Sequence, residues 1–274
     1  MLVFVVSYIW TQKASLVSYY LTNATGMPVH VKEVSLSGGR VLTLSQVEVK
    51  NLKGSVFPQS LSIQELQVQF NAKSLFEKII QLYEVKLDRV VMSLEVFNVR
   101  GDLNNWIGLL RNFPMEGETY LSQDEEDEDL VWRNREKGVC IHRLVMQDIQ
   151  CEVLDKSSRK EFITLIKIPE LLLEDLGKRE PLDLKFSFRL LVDPLLMYVS
   201  KRPHLSQVYH HVPELPPKLL QELYPQVENF FLRQESRNLD LQRKFYLADQ
   251  SLDKEHERLQ ERYERMQKLL EDYL

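Results

Sequence analysis

The stretch "VHVKEVSLS", Val29 to Ser37, decides how the fold is read. Val29 and Val31 lie two apart, as do Val34 and Leu36, but two polar residues, Lys32 and Glu33, separate the pairs where strand alternation allows one. Successive side chains of a strand point to opposite faces, so apolar positions 0 and 2 face one way and positions 5 and 7 the other. The pattern returns in "LTLSQVEV" at Leu42, Leu44, Val47 and Val49, and in "LSIQELQV" at Leu61, Ile63, Leu66 and Val68. It returns again in "VKLDRVVM" at Val85, Leu87, Val90 and Met92, and in "VCIHRLVM" at Val139, Ile141, Leu144 and Met146.

One extra residue restores the phase. A β-bulge at each polar pair places all four apolar residues on one face while bending the strand and increasing its twist. The pairs Lys32-Glu33, Ser45-Gln46, Gln64-Glu65, Asp88-Arg89 and His142-Arg143 would then mark a line of bends. The expected fold is mainly β with α: one highly curved, half-barrel sheet whose twenty repeat residues line an apolar groove. The alternative is a two-layer core in which each half-strand faces its own layer.

Composition sets the frame. The 274 residues are 44% hydrophobic and 27% charged, ordinary for a globular chain able to bury a sizeable core. A net charge of -5 argues against a general nucleic-acid binder, which carries a basic face. Cys140 and Cys151 lie on one extended segment, where eleven residues span roughly 36 Å, out of disulfide reach without a tight turn.

Three regions emerge: residues 1–26, a β-region over 27–200 and a helical region over 201–274. In the first, Leu2 to Trp10 runs apolar. Nine residues make about 14 Å of helix, short of the roughly 20 residues needed to span a bilayer. A membrane helix continued through Leu16 to Leu21 or begun upstream, a signal sequence, and an apolar helix docked on the domain all stay open. Within the β-region two segments read as helical: "SLFEKIIQL", with Ser74 as N-cap and Glu77 as its capping-box partner, and "GDLNNWIGLLRNF", with Leu103, Trp106, Ile107 and Leu110 on one face. Residues 114–137 interrupt the strands and contain six consecutive acids, Asp124 to Asp129, the pattern of a solvated loop and without the Gly and spaced ligands of a calcium loop. After Ser200 the chain reads as helix broken or kinked at Pro225. Over 252–273 a heptad seam steps through Leu252, His256, Leu259, Tyr263, Met266, Leu270 and Tyr273. Leu252, Leu259, Tyr263, Met266 and Leu270 are its candidates for helix association, in a coiled coil or against the sheet.

Catalytic patterns are missing: there is no phosphate-cradling Gly-rich loop, no G-x-S-x-G elbow, no paired-cysteine zinc spacing and no H-E-x-x-H. His204, His210 and His211 sit among Pro, Tyr and Ser in a connector, better read as solvated than as a metal patch. No cofactor, no metal and no enzymatic activity are expected.

The order "TGMPVHVKEVSLS", "LTLSQVEVKNLKG", "SLSIQELQVQFNAKSLFEKIIQLYEVKLDRVVMSLEV" and "LNNWIGLL" resembles the N-terminal module of the AsmA-like proteins of Gram-negative envelopes, relatives of TamB. Gly26, Asn51, Gly54, Ser74, Leu75, Asn105, Trp106 and Leu109 fill that module's characteristic places, and "IKIPELLLEDLG", Ile166 to Gly177, resembles a later strand of short members. The likeness covers roughly residues 1 to 200, with a shorter N-terminal apolar run than the family's. It implies a protein anchored in the inner membrane and facing the periplasm, whose groove binds phospholipid or other acyl chains and assists lipid transport or homeostasis. The alternative is an envelope scaffold or adaptor acting through a protein partner or self-association of its C-terminal helices. Val90 separates open groove from closed core: an open groove predicts that Val90→Asp folds and loses co-purifying lipid, and a closed core predicts that it unfolds.

Overall fold

The computed structural model describes residues 12–98, 103–111, 138–156, 162–178, 181–183, 188–201, 205, 221–234, 236–237 and 240. Leu2 to Trp10, the acidic block, His204, His210, His211 and the heptad seam lie outside them. The chain divides into two units, Met1–Val227 and Glu228–Leu274. In the second, residues 228–234 are helical.

In the first unit helix α1 (Lys13–Thr25) precedes strands β1 (Val29–Ser37), β2 (Val41–Lys50), β3 (Gln59–Phe70) and β4 (Ile79–Val96). Helix α2 (Asn105–Arg111), strands β5 (Gly138–Asp155), β6 (Phe162–Leu176) and β7 (Leu182–Asp183), and helix α3 (Arg189–Ser200) follow. The protein is mainly β: the strands form one mixed sheet in the order β1-β2-β3-β4-β5-β6, with β7 pairing β5. Only β4 and β5 run parallel, and α2 lies in the connection between them, as a parallel pair requires a crossover.

Local sequence explains the turns. Gly38 and Gly39 between β1 and β2 take left-handed φ of 57° and 64°, the conformation a tight hairpin needs and a side chain disfavours. The helix read from Ser74 does not form. Ser74–Phe76 is a single 3-10 turn, and Ile79 onward is strand. Ser74 is buried and its hydroxyl accepts from the Gln81 N–H (2.9 Å) while donating to the Asn71 carbonyl (2.7 Å), so it clamps the turn to β4 instead of capping a helix. Leu103 lies outside α2 and is exposed, whereas Trp106, Ile107 and Leu110 are buried as read. Helix continues through Pro225 within residues 221–227.

Helix α3 is buried almost all round, including an ion pair between Arg189 and Asp193 at 2.7 Å. Burial pushes the Asp193 carboxyl up to about 6, against the lowering by Arg189. Cys140 and Cys151 are free and buried, and burial raises the Cys151 thiol to about 12.

The register shows how the slip is absorbed. Lys32, Gln46, Gln64 and Arg89 drop out of the β1–β4 ladder at one level, while Glu33, Ser45, Glu65 and Asp88 beside them stay paired. Pairing on either side keeps the same register because every strand carries the extra residue at the same place. The line continues through Asp148 on β5 and Pro169 on β6. Gln46, Arg89 and Asp148 reach positive φ of 50°, 50° and 52°. A left-handed L-residue costs roughly 1–2 kcal/mol, which glycine avoids and a β-branched side chain worsens. Gln46→Gly is therefore expected to hold or raise the urea-unfolding midpoint, and Gln46→Val to lower stability by about 1 kcal/mol; equal stability of the two would contradict a left-handed kink.

Candidate functional site

The kinks leave four apolar rows across β1 to β4. Leu36, Leu42, Val68 and Val85 are lateral neighbours, as are Val34, Leu44, Leu66 and Leu87. Beyond the kink line come Val31, Val47, Ile63 and Val90, then Val29, Val49, Leu61 and Met92. Both members of each β1 pair except Leu36 are buried, while His30, Lys32, Glu33 and Ser35 are exposed. Strict alternation would have put Val34 on the side of Lys32. The apolar residues therefore share a face.

The fifth copy joins one step out of phase. Val85 and Leu87 align with Leu144 and Met146, so β5 extends the rows through Leu144, Met146, Ile149 and Cys151, and Val139 and Ile141 stand one slip earlier. Its polar pair, His142-Arg143, belongs to a second kink line through Tyr83, His142 and Asp175, where Asp175 has φ of 54°. There the His142 ring stacks on Tyr83 (centroids 6.1 Å apart), its Nε2 meets Gln81 at 3.0 Å and its Nδ1 lies 3.5 Å from Asp175. A hydrogen bond from Lys178 holds the Asp175 carboxyl below its usual range. Strand β6 adds Ile166, Ile168, Leu171, Leu173 and Leu176, all buried at the same spacing. Sequence reading missed these five, Ile149 and Cys151, although the signal was the same 0-2-5-7 pattern.

Exposure is graded along this face. The two rows beyond the kink line are buried throughout. At the hairpin end Leu36 is 50% exposed and Leu42, Leu66 and Val68 are half-buried. The face has one partly open lip. Val90, at 1% exposure, lies in the sealed part, so Val90→Asp buries a carboxylate among apolar side chains.

At the other end the β4 backbone outruns β3, and side chains complete it. The Asn105 amide accepts from the Glu95 N–H (2.9 Å) and donates to the Ser93 carbonyl (3.0 Å) and to Asn51 Oδ1 (3.0 Å). The Trp106 indole donates to the same Ser93 carbonyl at 3.0 Å. The fully buried Glu95 carboxylate accepts from the Phe57 N–H (2.9 Å), Asn51 (3.3 Å) and Lys156 (2.7 Å). Asn51, 54 residues before Asn105, thus meets Asn105 and Trp106 in one node. The edges are closed the same way. Ser18 and Thr22 of α1 accept from the Val31 and Val29 N–H groups of β1, and Gln226 bonds both backbone groups of Glu174 on β6.

No group of three or more His, Cys, Asp or Glu among the described residues could hold a metal ion, and no helix among them is long and apolar enough to cross a membrane. Comparison with protein-family models and with curated protein sequences finds no match.

Asn105→Ala strips the side-chain partner from the Glu95 N–H, while the Ser93 carbonyl keeps the Trp106 indole. An unsatisfied buried group costs about 1–3 kcal/mol, so a loss of at least that size in urea unfolding is expected, and a loss under about half a kcal/mol would deny the node its role.

Proposed function

We propose that the sheet curls along its kink lines into a groove, and that the groove binds lipid acyl chains in a protein assisting lipid transport or lipid homeostasis at a Gram-negative inner membrane, facing the periplasm. The observation that carries this reading is the single apolar face across all six ladder strands, partly open along the lip of Leu36, Leu42, Leu66 and Val68. Bulges stacked at one level bend every strand in the same place, which favours curling. An apolar concave face shields chains at ~0.8 kcal/mol per buried methylene while headgroups stay in water. Five inter-strand gaps of about 4.8 Å make the groove roughly 24 Å long, shorter than the roughly 30 Å hydrocarbon core of one bilayer, so the protein acts on lipid locally or in series with partners.

Lipid extraction and mass spectrometry of the purified protein test the reading. Phospholipid is expected with the wild-type chain and at least several-fold less with Leu42→Asp/Val68→Asp, whose half-exposed positions let the carboxylates keep water and the domain stay folded. Wild-type protein without lipid, or a folded double variant with unchanged lipid, would overturn it. Val90→Asp, in the sealed part, is expected to unfold.

A further inference from the structure

At the lip end of the sheet the β1–β2 hairpin (38–40) and the β3–β4 loop (71–78) project together, since β1 and β3 end there and β2 and β4 begin. Phe76 in that loop is 92% exposed and Leu75 beside it 38%. The loop is fixed. Asn71 N–H donates to the Gln81 carbonyl (3.0 Å), Ser74 N–H to the Asn71 carbonyl (3.0 Å) and Glu77 N–H to the Ser74 carbonyl (3.0 Å), besides the buried Ser74 hydroxyl bridge. Phe76 and Leu75 thus form a small apolar tip held out by a rigid turn.

Charge gives the partner its chemistry. The two connections carry Arg40, Lys73 and Lys78 against Glu77 alone, three positive less one negative, on a chain whose net charge is -5. Helix α1 runs antiparallel to β1, fixed by Ser18 on Val31 and Thr22 on Val29, so its first residue, Lys13, is directed toward this end. Basic side chains flanking an exposed aromatic ring match a bilayer interface with anionic headgroups.

We propose that these two connections at the β1–β4 side of the sheet form a bilayer-docking surface, with Phe76 and Leu75 inserted at the interface and Arg40, Lys73 and Lys78 on anionic headgroups. It names the membrane contact of the groove's lip but stands on separate residues: lipid extraction can fail while docking holds, and the reverse.

Because Cys140 and Cys151 are buried, a cysteine introduced at the surface can be labelled selectively. Full-length Phe76→Cys carrying an environment-sensitive fluorophore is mixed with vesicles of phosphatidylcholine alone or with phosphatidylglycerol added. Val56→Cys, 59% exposed on the β2–β3 loop at the opposite end, serves as control. The label at 76 is expected to report an apolar environment with the anionic vesicles and the label at 56 to stay in water. Adding Lys73→Gln/Lys78→Gln is expected to weaken the response roughly 30-fold in lipid concentration, at about 1 kcal/mol per lysine. No response at 76, equal responses at 76 and 56, or a response indifferent to anionic lipid and to the lysines would overturn the proposal, including in favour of a protein ligand for Phe76.

Discussion

The structure depends on one extra residue per strand placed at one level in every strand. A single strand with that residue would slip its register by one and turn half its side chains to the wrong face. Here Lys32, Gln46, Gln64, Arg89, Asp148 and Pro169 form one unpaired line, and the ladder resumes unshifted beyond it. The residues suit the place: most are polar and point to water, and Pro169 has no N–H to lose from the ladder. The cost of left-handed backbone at Gln46, Arg89 and Asp148 is offset by keeping Val34, Leu44, Leu87 and their neighbours on the buried face.

An open sheet leaves edges, and here side chains on helices complete them. Ser18 and Thr22 stand in for a strand beside β1, Asn105 for the stretch of β4 that β3 does not reach, and Gln226 for a neighbour of β6. These substitutes also fix direction, since a side-chain amide serving an N–H and a carbonyl tolerates little rotation. The orientation of α1 along β1, and hence the end at which Lys13 lies, follows from two hydroxyls one helical turn apart.

The rows on β1 to β4 were legible in the sequence because alternation and its interruption are local, and connections of three to eight residues pair consecutive strands antiparallel. The fifth copy was recognised but not its alignment: β4 and β5 are parallel, their connection is long, and period-five repetition lets Val139 or Leu144 begin a match. The segment after Ser74 was misread because eight residues with apolar pairs fit either period, and Ser74's role depends on Gln81, which strand pairing brings close. Asn51, Asn105 and Trp106 were singled out by resemblance, yet their meeting at Ser93 and Glu95 is a tertiary fact that spacing does not contain. The graded exposure from Val90 to Leu36 likewise depends on what covers each row.

The most direct measurement of the central claim is the deletion of Gln46 alone, followed by urea unfolding. Without it β2 alternates strictly and Leu42, Leu44, Val47 and Val49 still share a face, but β1 and β3 keep their extra residues Lys32 and Gln64, so beyond Ser45 the β2 ladder falls one residue short against both neighbours. The account predicts a urea midpoint well below that of the wild type. A deletion variant that unfolds cooperatively at the wild-type midpoint would contradict it.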